Sequence, residues 1–268
     1  AETWADRIGA TTGDHVAGAG ELLRGIPDSL MLNAHQPEGA GAMMAALLLQ
    51  VADPEILNRQ RPALTLAGTP FADQTPAIAA QMADLVPAAR LALLDLALAT
   101  LRSRPLSELE RLKNLCAKLI EADGRVSLFE LAVQRMLQRA VDQIRHPGAP
   151  VRNGSLSAES VREEASILLA GLARQSRQPE SAYEAALRIL FPNSSPVAPP
   201  KVQEVGMDRV VRALERLEGA APAVKRLLMT ACAESVSADG EISAGEGELL
   251  RAVAAALNCP IPLLLTAG

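Results

Sequence analysis

Aromatic residues are nearly missing from this 268-residue chain. There are five: Trp4, Phe71, Phe129, Tyr183 and Phe191. Binding of single-stranded nucleic acid leans on stacking aromatics, and this chain has too few. A charge of one sign is also missing. Formal net charge is -5 and pI about 5.4, so the basic footprint of a DNA- or RNA-binding protein is not there. Cutting the chain at residue 150 leaves both parts balanced, so no charged tail or polybasic membrane patch stands out. Cysteine is scarce. Cys116, Cys232 and Cys259 are an odd number without a close pair, which argues against a disulfide framework and a Cys-x-x-Cys site and suggests a reducing compartment. Long hydrophobic runs are absent too. The most apolar, 39–49 and 88–99, are well short of the ~20 residues a bilayer span needs. No signal peptide is visible, and the chain begins with Ala1, which suggests a piece of something longer.

What the chain does have is alanine, 49 of them, in a composition 49% hydrophobic and 21% charged with mean hydropathy +0.14. Ala, Leu, Arg and Glu favour helix, and β-branched and aromatic residues are few. The composition predicts an all-α protein of about a dozen helices, in one bundle or two. Thr11 or Thr12 starts a helix that runs to about Arg24, and Pro27 opens a short one carrying Leu30 and Met31. Pro37 starts a third helix, with Met43, Met44, Leu47 and Leu48 at helical spacing. Asp53-Pro54 reads as cap and first turn of a helix broken at Gly68-Thr69-Pro70. Further helices are expected over 73–86, from Pro87 to about Leu101, and from Ser103-Arg-Pro-Leu to near Ala122. Two stretches rich in Pro, Gly, Ser and Asn read as linkers, at 146–157 and 192–203; the second opens with four prolines in PNSSPVAPPK, an exposed linker in preference to a docking segment. Helices are expected between them at 158–175 and 179–191, and after them at 204–218, 221–238 and 243–257. Two regions follow from this: an N-terminal helical region, 1–104, and a second, 105–268.

Cys116-Ala117 recurs 116 residues later as Cys232-Ala233, within a shared pattern C-A-x4-A-D-G-x-[VI]-S-x-x-E. The pattern encodes helix, tight turn, helix. Gly124 and Gly240 can take the left-handed backbone of a C-terminal cap, while Val126 and Ile242 plug the core. Ser127 and Ser243 cap the next helix, and Glu130 and Glu246 complete a capping box. The same spacing is the second half of an EF-hand loop, with Asp, Gly, an apolar residue and Glu at its fifth, sixth, eighth and twelfth positions. That makes Asp123, Glu130, Asp239 and Glu246 candidate metal ligands. The first ligand position, however, would be Leu119 or Ser235, so the helix-cap reading is preferred.

Other chemistry is thin. His15, His35 and His146 stand apart, and no His-Glu-x-x-His occurs. Cys116 and Cys232 fit the inner face of a helix better than a nucleophile's place. Gly18-Ala-Gly20 and Gly39-Ala-Gly41 follow no strand and lack the Gly-Lys-[Ser/Thr] of a phosphate loop. The small residues of 39–46 suit close helix packing, and Glu108, Glu110, Arg111 and Lys113 read as solvated surface. An enzyme is the least favoured class, because no acid, base and nucleophile converge in the sequence.

Two resemblances rest on these motifs. The Ala-Asp-Gly-x-[Val/Ile]-Ser-x-x-Glu elements, with the ending 249–260 (LLRAVAAALNCP), resemble TerB-like (tellurite-resistance) helical domains over 105–145 and 204–265. This implies a compact all-α bundle and places the family's acidic residues at Asp123, Glu130, Asp239 and Glu246. The order of motifs along the whole chain is similar to the C-terminal extension of bacterial HtpX-like membrane zinc metallopeptidases. Those motifs are Arg7-Ile-Gly9, 22–30 (LLRGIPDSL), 37–40 (PEGA), 46–49 (ALLL), 90–98 (RLALLDLAL) and Asp123-Gly124. The resemblance implies a non-catalytic module on the cytoplasmic side of the bacterial inner membrane, part of a longer protein and engaged with its own protease domain or other proteins. Zinc is implied only for that protease domain. For this chain itself the expectation is no cofactor, no nucleic acid, no membrane span and no catalysis. The alternative expectation is a free-standing TerB-like module that responds to divalent metal.

Overall fold

A computed structural model describes residues 23–68, 71–122, 124, 127–146, 154–174, 176–192, 201, 205–236 and 244–259. It is all-α, as the composition predicts. The described residues form two compact units. The first comprises residues up to 126 together with 130–146; the second comprises 127–129 and residues from 154 onward. Position 104/105, the sequence-based division, falls inside the first unit, between two of its helices.

The first unit is built around a helix whose last eight residues have no solvent face. Helix α2 (Pro37–Ala46) reads PEGAGAMMAA, and Gly39 through Ala46 are all buried. It packs against α1 (Asp28–His35), α4 (Phe71–Met82), α5 (Pro87–Leu101) and α6 (Leu106–Glu121). Small residues permit this close approach. A Cβ at Gly39 would lie 2.6 Å from the Asn33 carbonyl oxygen, a backbone atom that cannot swing away. Helix α3 (Pro54–Ala67) starts where Asp53 and Pro54 predict: the Asp53 carboxylate accepts the Glu55 and Ile56 backbone N–H at 3.0 and 3.1 Å. It stops at Gly68, which has φ 78°.

Helix α4 differs from the expected 73–86. It begins two residues earlier and stops at Met82. Pro87 pushes Val86 out of helical space, to φ -60° and ψ 148°, so no helix can run up to it. Arg90 then closes the freed end by donating to the Met82 and Ala83 carbonyls, each at 3.3 Å. Helix α6 turns Leu109, Leu112, Leu115, Cys116, Leu119 and Ile120 inward, and α7 (Leu128–Arg145) follows it. Lys113 donates to Gln138 at 3.2 Å and Arg145 pairs with Glu110, linking α6 to α7.

The polar fastener of this unit is Gln60. Its side chain is 1% exposed and fully used. Nε2 donates to the Leu48 and Leu119 carbonyls at 2.9 and 3.0 Å, and Oε1 accepts the Gln50 N–H at 3.0 Å. A buried amide with its bonds made is stable; the same amide without them would cost several kcal/mol, on the order of 1–3 for each unsatisfied group.

The second unit opens on the last residues of the 146–157 stretch. Leu156 N–H donates to the Gly219 carbonyl at 3.1 Å, and Leu156 C=O accepts Ala221 N–H at 3.0 Å. This isolated parallel bridge is the only β pairing among the described residues. A single 3-10 turn (Glu159–Val161) leads into α8 (Arg162–Ala173), whose run from Ala165 to Ala170 is buried. Around α8 lie α9 (Pro179–Leu190), α10 (Met207–Leu217) and α11 (Pro222–Val236). Helix α10 shows its amphipathic spacing plainly, with Val210, Ala213, Leu214 and Leu217 buried. Helix α12 (Ala244–Ala256) packs on α10 and α11. It ends at Asn258, in the left-handed region with φ 57°, and Cys259 N–H reaches back to the Ala254 carbonyl at 2.8 Å. Lys225 Nζ donates to the Leu257 carbonyl at 2.9 Å, a cation at a helix C-terminus.

Candidate functional site

The DG elements are the first candidate. Gly124 has φ +73°, and its N–H donates to the Glu121 carbonyl at 3.2 Å. A left-handed glycine closing a helix is the cap geometry the sequence suggests. Glu130 lies in the first turn of α7 and is 4% exposed; it and Ser127 both engage other groups. Asp123 and Asp239 lie outside the described residues, as does the side chain of Glu246. Among the described residues, no three His, Cys, Asp or Glu side chains gather as a metal site would need.

The matching cysteines are buried at matching places. Cys116 on α6 is 1% exposed and Cys232 on α11 is 0% exposed. Burial pushes the Cys116 thiol up to about 12 and the Cys232 thiol up as well, the latter with a smaller push from Cys259. A thiol held protonated in a core is an inert apolar filler. Tyr183 on α9 is also buried, which raises its phenol above the ordinary value, against the lowering effect of a hydrogen bond with Ser166. His35 and His146 sit exposed at the ends of α1 and α7, while His15 lies outside the described residues.

A second candidate is a cleft that the sequence did not reveal. It lies in the first unit and has a volume of about 180 Å³. Gly41, Phe71, Leu101, Leu109 and Leu112 form its apolar wall. Gly41 shapes it: a Cβ there would stand 3.2 Å from the Phe71 ring. Four charged side chains line the mouth: Glu38 at the start of α2, Arg104 in the α5–α6 turn, and Glu108 and Arg111 on the first turns of α6. Arg104 Nε donates to Glu108 Oε2 at 2.7 Å, its Nη2 lies 2.5 Å from the same oxygen, and Glu38 is 3.8 Å away. Arg111 is exposed, and no hydrogen bond or ion pair engages it among the described residues. In the sequence Glu108 and Arg111 read as plain helix surface. Their i, i+3 spacing puts them side by side, but the apolar wall is completed by Gly41, Phe71 and Leu101 from three other helices, so no local pattern announces it.

With the fold and these sites in view, comparison with known proteins adds no relative: no family model, no curated protein and no solved structure matches the chain.

Proposed function

We propose that this chain is a non-catalytic, cytoplasmic module of a bacterial membrane zinc metalloprotease and that it serves protein interaction or regulation. The observation that carries the interaction part is the cleft of the first unit, where an apolar wall lies beneath charges of both signs. Such a surface suits a side chain or chain end of another protein better than it suits bond-breaking chemistry. The resemblance of the whole chain to the extension of HtpX-like metallopeptidases supports the assignment to a protease. Two of the nucleophile-type side chains, Cys116 and Cys232, are shut in cores. No described helix is long and apolar enough to cross a membrane, and in this reading the spans belong to the parent.

The alternative, a free-standing TerB-like module responding to divalent metal, rests on the DG elements. At the described one, Gly124 closes a helix and Glu130 is buried, which favours the cap reading over a ligand loop.

The gene decides between them first. A reading frame with an upstream His-Glu-x-x-His and hydrophobic spans supports the protease module; a frame that starts at this chain overturns it. In the full-length protein, deleting these residues should leave zinc-dependent hydrolysis of casein intact while changing which proteins are cleaved. Complete loss of hydrolysis would make the chain part of the catalytic fold.

A further inference from the structure

We infer that the cleft of the first unit is a receptor for the C-terminal residue of a peptide that ends in a large apolar side chain. This deepens the interaction reading and does not depend on the parent being a protease. Three observations carry it. The cleft's volume, about 180 Å³, suits one leucine-sized side chain, and Phe71, Leu101, Leu109 and Leu112 give that side chain an apolar wall.

The second observation is charge. Glu108 already holds Arg104 through two nitrogens, and Glu38 stands close by. Arg111 on the same mouth has no bond or ion pair among the described residues. An exposed guanidinium beside an apolar hole matches an apolar side chain that carries a carboxylate on its own Cα, and a peptide C-terminus has that arrangement.

The third observation comes from the second unit. There the turn between α10 and α11 holds an extended piece of the protein's own chain, with Leu156 bridged to Ala220. Ala220 lies 116 residues after Arg104, the spacing of the DG repeat, so the turn at the mouth of the cleft is the sequence equivalent of the turn that holds Leu156. In the first unit the residue matching Ala221 is Pro105, which has no N–H to give. An extended guest there cannot be held by the second backbone bond and must be held by side chains, as Arg111 allows.

The test is calorimetric titration of the whole chain with N-acetyl-Ala-Ala-Leu, its C-terminal amide, N-acetyl-Ala-Ala-Gly and octanoate. The free acid ending in Leu should bind saturably, with the amide and the Gly peptide each about tenfold weaker or worse. Arg111→Ala, an exposed change, should erase the acid–amide difference, and Ala67→Phe, at the end of α3 where Ala67 also lines the cleft, should fill the cleft and remove binding. Both variants should keep the wild-type helical signal and melting temperature; if Ala67→Phe unfolds, Arg111→Ala still decides. Equal binding of acid and amide, no effect of Arg111→Ala, or no saturable binding overturns the proposal. Octanoate binding as tightly as the Leu peptide assigns the cleft to fatty carboxylates and overturns the peptide. If Ala67→Phe leaves the full-length protein's choice of substrates unchanged while deletion of the module alters it, the interaction reading stands and the cleft falls.

Discussion

In the first unit α2, apolar but for Glu38, packs against α5 and α6, and α3 packs against α6. In the second unit α8 packs against α10 and α11, and α9 against α11. The order of these helices and these contacts agree, although α8 also packs on α9 while α2 does not pack comparably on α3; α3 and α9 both open on Pro-Glu, at Pro54 and Pro179. The match thus runs well beyond the DG repeat. What differs is the fastening. The first unit adds α1 and α4 and locks three backbone groups onto Gln60. Among the described residues of the second, Ser235 Oγ reaches one backbone group, the Leu169 carbonyl at 3.5 Å, and Tyr183 bonds Ser166 side chain to side chain. Asp53 caps α3, whereas Gln178 at the head of α9 makes no side-chain cap. The lesson is that apolar packing sets this arrangement and that the polar fasteners can be exchanged around it.

The broadest way to break the comparison is to hollow each centre. Leu93→Ala and Leu168→Ala each remove a side chain that is 0% exposed and should cost about 2–5 kcal/mol. Calorimetry of each variant should show comparable losses; a several-fold difference would mean that the two cores are not equivalent. A sharper contrast comes from the fasteners. Gln60→Ala should cost roughly 2–4 kcal/mol by urea denaturation, because it strands groups in a dry core. Ser235→Ala should cost under about 1 kcal/mol, since its single bond is long. Similar values for the two would sink the distinction.

Smaller effects are expected at the caps. Asp53→Ala should lose about 1 kcal/mol, while Gln178→Asp should gain roughly 0.5–1 kcal/mol by giving α9 the cap that α3 already has. A neutral Gln178→Asp would show that α9 begins well without one. The smallest difference is expected between Cys116 and Cys232. Both should resist a thiol reagent at pH 8 and react only on unfolding, with half-buried Cys259 the fast one. Because Cys116 is held protonated by burial, its contribution to stability is full below about 9 and is lost as the pH rises through about 12. A folded Cys116 that reacts as fast as Cys259 would contradict its burial.

Much of this architecture can be read in the sequence where the signals are local. Asp53-Pro54, Pro87 and Pro179 announce their helices because caps and proline act within one turn. Gly124 announces its turn for the same reason. The Leu156 bridge, the Gln60 clasp and the cleft escape such reading. Each joins groups far apart in sequence, and Gln60 looks like any polar helix residue until Leu48 and Leu119 are placed beside it. The kinship of α2 and α8 is hidden differently: PEGAGAMMAA and REEASILLAGLA share apolarity and almost no residues. Of the candidate ligands, Glu130 stands buried in the first turn of α7, while the cleft's Glu108 and Arg111 read in the sequence only as solvated surface.

Helix α2 also constrains how this gene can drift. Eight successive buried positions leave no side of the helix on which a codon can wander, and any amino-acid replacement that a single base change makes in the codons of Gly39 and Gly41 adds at least a Cβ. At Gly39 that atom would strike the carbonyl of Asn33, and at Gly41 it would press on Phe71. In a saturation library the stretch 39–46 should be the most depleted segment of the first unit. It is the part of the protein by which distant descendants would be recognised last by residue identity and first by smallness.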